Sequence, residues 1–252
     1  GLKLPDVGWP NVAVLDALAD ESGRRIVNAS GVRIRFVEQR VKPDHFEEKF
    51  EPSIYLRGEV PVRPFNWHDL FNALVWMTFP TAKAALNARH YQAMSARTGP
   101  VRSPEEDALT LFDEEGVVVL SSDEELLALL RDFRWRELFR ERRDAVIQRM
   151  RFLLFGHALY EKALKPFIGM TGKALPFKVP KQTLTLQAEP LAKEVDRLAA
   201  LHIWNPENLR SGTSFSPLPV LGIPGWWPQN ESEAFYANES YFRPGRTRQN
   251  KL

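Results

Sequence analysis

The sequence predicts an α+β protein, predominantly helical, with one or two small antiparallel β elements and an extended C-terminal arm. Three observations lead there. Apolar residues recur at helical spacing through Asn66–Ala96 and Glu189–Trp204. Alternation of apolar and polar residues is confined to short pieces such as "VRIRFVEQ". Beyond Asn205 both periods vanish among Pro206, Pro217, Pro219, Pro224, Pro228 and Pro244. Periodicities of 3.6 and 2 are the signatures of half-buried helices and strands, so their distribution sets the class.

In chain order, Asn11 caps a short helix over "VAVLDALAD", because its side chain can accept from the first free backbone N–H groups. Val32–Gln39 alternates with Val32, Ile34 and Phe36 on one face and reads as a strand. Phe46–Phe50 reads as a helical turn, and "PSIYLRGEVPVRP" as extended and irregular. Asn66–Phe79 and Pro80–Ala96 form two helices, since Pro80 fits the first position of a helix but not the interior of a continuous one. Ser103-Pro-Glu-Glu106 and Ser122-Asp-Glu-Glu125 have the form of capping boxes, the second opening "ELLALLRDF". Between them, Ala108–Leu120 reads as a hairpin turning at Asp113–Gly116. A long helix is expected from Trp135 to Leu164, stopped by Pro166, then a loop with room for one extended segment through "MTGKALPFKVPKQ" and a last helix over Glu189–Trp204. Residues 1–204 are thus expected to form one domain. Residues 205–252 form an irregular arm, and its seven aromatics require it to pack back on the helices.

Composition narrows the function classes. The 252 residues carry 34 basic and 32 acidic side chains, a net charge of +2, so any nucleic-acid surface must be local. With no cysteine, disulfide frameworks, thiolate zinc fingers and cysteine nucleophiles are excluded. There is no G-x-S-x-G elbow, and "TGKA" lacks the hydroxyl residue a phosphate-binding loop requires. No apolar run spans a membrane, and "GLKLPDVGWP" lacks the apolar core of a signal peptide, so a soluble cytoplasmic protein without membrane partners is expected.

Four stretches resemble one family, the proteobacterial domain-of-unknown-function (DUF) family 3025. They are "NWHDLFNALVWMTFPTAKAALNARH", "DALTLFDEEG", "GHALYEKAL" with "TGKALP", and "PLPVLGIPGWW". The resemblance spans roughly Ile34 to Pro244 and implies a soluble, intracellular bacterial protein. The family brings no activity, cofactor or catalytic residue with it.

Candidate chemistry concentrates in the first of those stretches. Asn66 caps its first helix, and Trp67, Leu70, Phe71, Leu74 and Met77 form the apolar stripe. Left over are His68, Asp69 and Asn72 on one face, with Lys83, Asn87 and His90 on a face of the next helix. If the chain reverses at Phe79-Pro80, His68 meets His90 and Asn72 meets Asn87, each histidine being about 15–17 Å from the break. Such a cluster suits a metal-assisted hydrolase acting on a phosphodiester. His68 would be base or ligand, Asp69 orienter or ligand, His90 second ligand of a divalent metal, and Lys83 would bind the substrate. The order Asn72, Leu74, Trp76, Thr78, Asn87, His90 also resembles the helical part of His-Asn-His nucleases. The histidine preceding it would be His45 or His68, and neither has the setting that resemblance requires.

Two other places hold candidates. His157 and Glu161 stand at i and i+4, a spacing that can bind a metal, but His157 shares a stripe with Val146, Met150, Leu153, Tyr160 and Leu164, which favours a core histidine bonded to a neighbour. Arg131–Arg151 holds eight arginines against four acids with interleaved aromatics. Arg134, Trp135, Arg136, Arg140 and Arg143 there would bind nucleic acid or a protein partner in a non-catalytic interaction module.

Overall fold

The computed structural model of the chain describes residues 8–23, 25–39 and 44–245. Helix α1 (Val12–Glu21) leads to strand β1 (Arg35–Glu38), helix α2 (Phe50–Arg57) and strand β2 (Glu59–Val62). Then come α3 (Trp67–Thr78), α4 (Pro80–Ala96), α5 (Pro104–Glu115), β3 (Gly116–Ser121) and α6 (Glu124–Arg131). The second half holds α7 (Arg143–Arg149), β4 (Met150–Leu154), α8 (His157–Ala163), β5 (Thr171–Lys178), α9 (Ala188–Trp204) and β6 (Ser216–Pro219). The fold is α+β and mainly helical, as its periodicities predict. No helix among the described residues is long and apolar enough to cross a membrane.

The strands form a pair, β1-β2, and a four-stranded sheet in the order β4-β3-β5-β6. The pair is parallel and the larger sheet mixed, not antiparallel as alternation suggested. The cause of the first is α2, which lies in the stretch expected to be irregular. Pro52 falls in its first turn, where a missing N–H costs little, and Gly58 ends it in the left-handed conformation. A helical crossover returns the chain in the same direction, which is what parallel pairing needs.

Strand β3 is the hub. Val117 and Val119 face a core formed with α6, β4 and the C-terminal segment; Val118 and Leu120 face a second core with α4, α5 and α9. A third core joins α1, β1, β2, α2 and the apolar face of α3. The segment after Asn205 packs back as expected. It supplies β6, and the Tyr241 hydroxyl donates to Met170 O while accepting from the Leu221 N–H.

Two expected elements differ. The Ser103–Glu106 capping box carries α5 through Glu115, so only Gly116–Ser121 is strand and no hairpin turns at Asp113. The predicted 135–164 helix is broken into a π turn at Glu137–Glu141, then α7, β4 and α8. Met150–Leu154 satisfies the helical stripe in sequence, but pairing with the buried β3 captures it as an edge strand. The start of α6 is capped by Asp123, which accepts from the Glu125 N–H, rather than by Ser122.

Candidate active site

The break between α3 and α4 falls where Pro80 puts it. Asn66 Oδ1 accepts from the Asp69 N–H at 3.0 Å, and Phe79 closes α3 by donating to Val75 O. Leu70, Ala73, Trp76 and Met77 are driven into the third core, which turns His68, Asp69 and Asn72 to the opposite side. There they meet a cavity of about 590 Å³, a size suited to a small organic ligand. His90 enters it from α4, Asp113 and Glu114 from α5, and His157 from α8; Lys49, Arg63, Arg97 and Arg102 add positive charge to its walls.

Of the five expected catalytic residues, His68, Asp69, Asn72 and His90 line this cavity. Asn87 does not: its amide donates to the main-chain oxygen and carboxylate of Glu51. The pairings across the helix break also differ. His68 Nε2 lies 2.9 Å from Nε2 of His157, not against His90. Asn72 Oδ1 accepts from Lys83 Nζ at 2.8 Å, not from Asn87. Lys83, expected to bind ligand, is instead buried, bonded to Asp113 Oδ1 and set over the Trp76 ring. Asp69 is a brace. It accepts from the main chain, Nε and NH2 of Arg63, each at 2.8 Å, tying the end of β2 to the start of α3. Burial would raise its pKa, but the Arg63 bonds outweigh that and hold it below the ordinary value.

A series of titratable groups leads from the half-exposed Glu161 to the buried Asp113. The half-exposed Glu161 accepts from, or faces, His68 Nδ1 at 3.1 Å; His68 meets His157; and His157 Nδ1 lies 3.8 Å from Asp113 Oδ2. His157 is 5% exposed, and its Nδ1 makes no hydrogen bond of normal geometry although the Asp113 main chain lies on that side. Burial pushes its pKa down to about 4, with Lys83 and His68 adding to the effect and Asp113 opposing it, so this imidazole is neutral at pH 7. For Asp113 burial acts upward. The Lys83 charge and hydrogen bond, with His157 and His90, outweigh it and keep the carboxylate ionised.

Glycine makes this approach possible. The carbonyl of Gly116 accepts from the N–H groups of both Phe155 and Gly156, pinning the start of α8 against the end of α5. A Cβ on Gly156 would sit 2.4 Å from Glu114 O. Only a residue without a side chain lets His157 reach Asp113.

His90 stands apart. Its ring is buried on the cavity wall beside Asp113 and makes no hydrogen bond to a described residue. Both ring nitrogens of His68, by contrast, already face protein groups. Among the described residues no group of three or more His, Asp or Glu side chains is arranged to hold a metal ion. His68 is turned to His157 rather than to His90, the second ligand expected for a divalent metal.

Comparison with known proteins adds the family. The model of DUF3025, described as proteins of unknown function, matches residues 34–246. The chain belongs to this family. No curated protein and no solved structure matches it. The family region contains every residue of the cavity wall, from Gln39 to His157.

The other candidate surface looks different once folded. Trp135 and Phe139 are buried, and the Trp135 indole donates to Arg243 O, so neither ring is available for stacking on a base. Arg134 pairs with Glu137, Arg136 with Glu233 and Arg143 with Glu231, while Arg140 is half-buried. His45, the other histidine weighed for a nuclease-like site, is exposed outside the cavity. The basic tail beyond Gly245 lies outside the described residues.

The sequence places Asp113 in a turn and so misses it, while His157 is the core histidine bonded to a neighbour that its stripe predicts. Its neighbour proved to be the histidine of α3, reached through two long-range approaches that no local pattern announces.

Proposed function

We propose that this protein is a hydrolase of phosphodiesters in which histidine acid–base chemistry replaces the metal first expected. The observation that carries the proposal is His90, an imidazole in a cavity wall whose nitrogens make no hydrogen bond to a described residue, beside a carboxylate kept ionised by Lys83. In this reading His90 takes a proton from water as the water oxygen attacks phosphorus. The bond from phosphorus to the leaving oxygen breaks, and that oxygen is protonated from the open mouth. Asp113 stabilises the imidazolium that forms, as a buried carboxylate beside a catalytic histidine does. Lys49, Arg63 and Arg97 supply positive charge where the phosphate would lie, although Arg63 and Arg97 share theirs with Asp69 and Glu106.

The alternative, a non-catalytic module that binds nucleic acid or protein through Arg131–Arg151, has less support because its arginines are largely ion-paired and its rings buried. The test is cleavage of bis(4-nitrophenyl) phosphate, plasmid DNA and structured RNA in excess EDTA by wild type and His90→Asn. Cleavage that survives chelation and is lost in the variant is expected. No cleavage of any of the three, or equal cleavage by the variant, overturns the proposal.

A further inference from the structure

A row of aromatic rings is built on and around α3 and α8, the helices that bring His68, Asn72 and His157 to the cavity. Phe65, Trp9, Trp67, Phe71 and Tyr160 follow one another with centroid separations of 5.9, 4.8, 5.6 and 5.7 Å. Its members alternate with cavity residues in the chain. On α3, Trp67 and Phe71 occupy the i and i+4 positions next to His68 and Asn72; on α8, Tyr160 stands between His157 and Glu161. The row and the cavity are thus neighbouring faces of the same two helices.

The outer end of the row is the informative part. Phe65 has φ of 57° and is 79% exposed. A left-handed conformation is costly for a bulky residue, and its place after Pro64 is one that glycine or asparagine fills easily. The other two non-glycine residues with positive φ among the described residues, Phe133 and Leu209, put their side chains into or against the cores. Phe65 recovers nothing comparable: its ring touches Trp9 and otherwise faces solvent. Strain held without a packing return points to a ligand.

We infer that this row is a stacking shelf for the base of a nucleotide whose phosphate enters the cavity. The inference rests on the phosphodiesterase reading and names its substrate class. Arg63, on the cavity wall, is two residues from Phe65, so the two lie within about 7 Å along the chain, a span that one nucleotide bridges. An exposed ring holds any unpaired base by its face, and a cation nearby holds the phosphate; this pairing is how single-stranded nucleic acid is bound without sequence preference. A duplex, whose bases are already stacked, would gain nothing from the shelf.

The experiment is calorimetric titration with 5′-AMP and with ribose 5-phosphate, using wild type, Phe65→Gly and His90→Asn. Glycine at position 65 keeps the backbone conformation and removes the ring, so folding is preserved. Tighter binding of 5′-AMP than of ribose 5-phosphate is expected, with a loss of about tenfold for 5′-AMP alone in Phe65→Gly. His90→Asn should lose cleavage while still preferring 5′-AMP to ribose 5-phosphate, so that failed hydrolysis and a failed shelf are read separately. Equal affinity for the two ligands, or 5′-AMP binding indifferent to Phe65→Gly, overturns the inference. So does a wild-type dimer that Phe65→Gly converts to monomer in sedimentation, because the shelf would then be an interface between copies.

Discussion

Two regions of this protein look equally chemical in the sequence and behave oppositely in the fold. The Arg131–Arg151 stretch draws its partners from nearby or from the C-terminal segment, and its charges end in surface pairs such as Arg134–Glu137 and Arg136–Glu233. The α3–α4 stretch draws partners from far along the chain, His157 and Asp113, and its charges end inside a cavity. Exposed pairs are screened and worth at most about 1 kcal/mol, whereas buried groups must be matched or they destabilise the fold. Density of charged and aromatic residues does not separate the two cases. What separates them is whether the partners lie under apolar layers.

The sharpest way to break the comparison is to unpair the buried ion pair. Lys83→Ala leaves Asp113 without its counter-charge and should cost about 3–5 kcal/mol. Urea denaturation monitored by circular dichroism would measure it. A cost under about 1 kcal/mol would mean that Asp113 reaches water and the network is not buried.

Next comes the glycine that brings the helices together. Gly156→Ala puts a methyl group against Glu114 O and should cost about 1–3 kcal/mol by forcing α8 from α5. The His157 ring resonances in an NMR spectrum should shift with it. An unchanged melting profile and spectrum would show that α8 is held by something other than that approach.

The pH dependence follows from His157. Its folded pKa, lowered to about 4 by burial, lies below the ordinary value of 6.5. The unfolded chain therefore binds a proton that the folded one does not, so stability present above about pH 6.5 is lost as pH falls towards 4. His157→Gln should remove on the order of 2 kcal/mol of that decline between pH 7 and pH 4.5. Parallel denaturation curves at the two pH values would reveal whether the variant and wild type decline alike, which would contradict a neutral buried imidazole. At the small end, Arg136→Ala should change stability by less than about 1 kcal/mol, because both it and Glu233 are exposed. A larger loss in the same denaturation assay would make the surface network more than a solvated face.

How much of this was legible depended on the range of the signal. Asn66 and Pro80 act on the nearest turns, and the helices they bound stand where the sequence puts them; the Ser103–Glu106 box also opens a helix, but one that runs on through the expected hairpin. The packing of the aromatic C-terminal segment was legible too, since so many rings have no other way to leave water. Strand β4 was not, because its residues satisfy a helical stripe and only the presence of β3 decides against it. At the cavity, the sequence placed His68, Asp69, Asn72 and His90 on one side of two helices. It could not say that His68 would meet His157, for that contact depends on Gly116 and Gly156 closing on one another. Asn87 shows the limit of helical bookkeeping: it occupies the expected face, and Glu51 of α2 claims its amide.

The most direct measurement compares the two regions in one assay. Rates of phosphodiester cleavage in EDTA would be taken for wild type, for His90→Asn, and for the triple variant Arg134→Ala, Arg136→Ala, Arg140→Ala, at equal folded fraction. Loss of a general base predicts a fall of roughly 100-fold or more in His90→Asn, with less than about a twofold change in the triple variant. A triple variant that loses activity while His90→Asn keeps it would contradict the account and move the functional surface to the arginine-rich stretch.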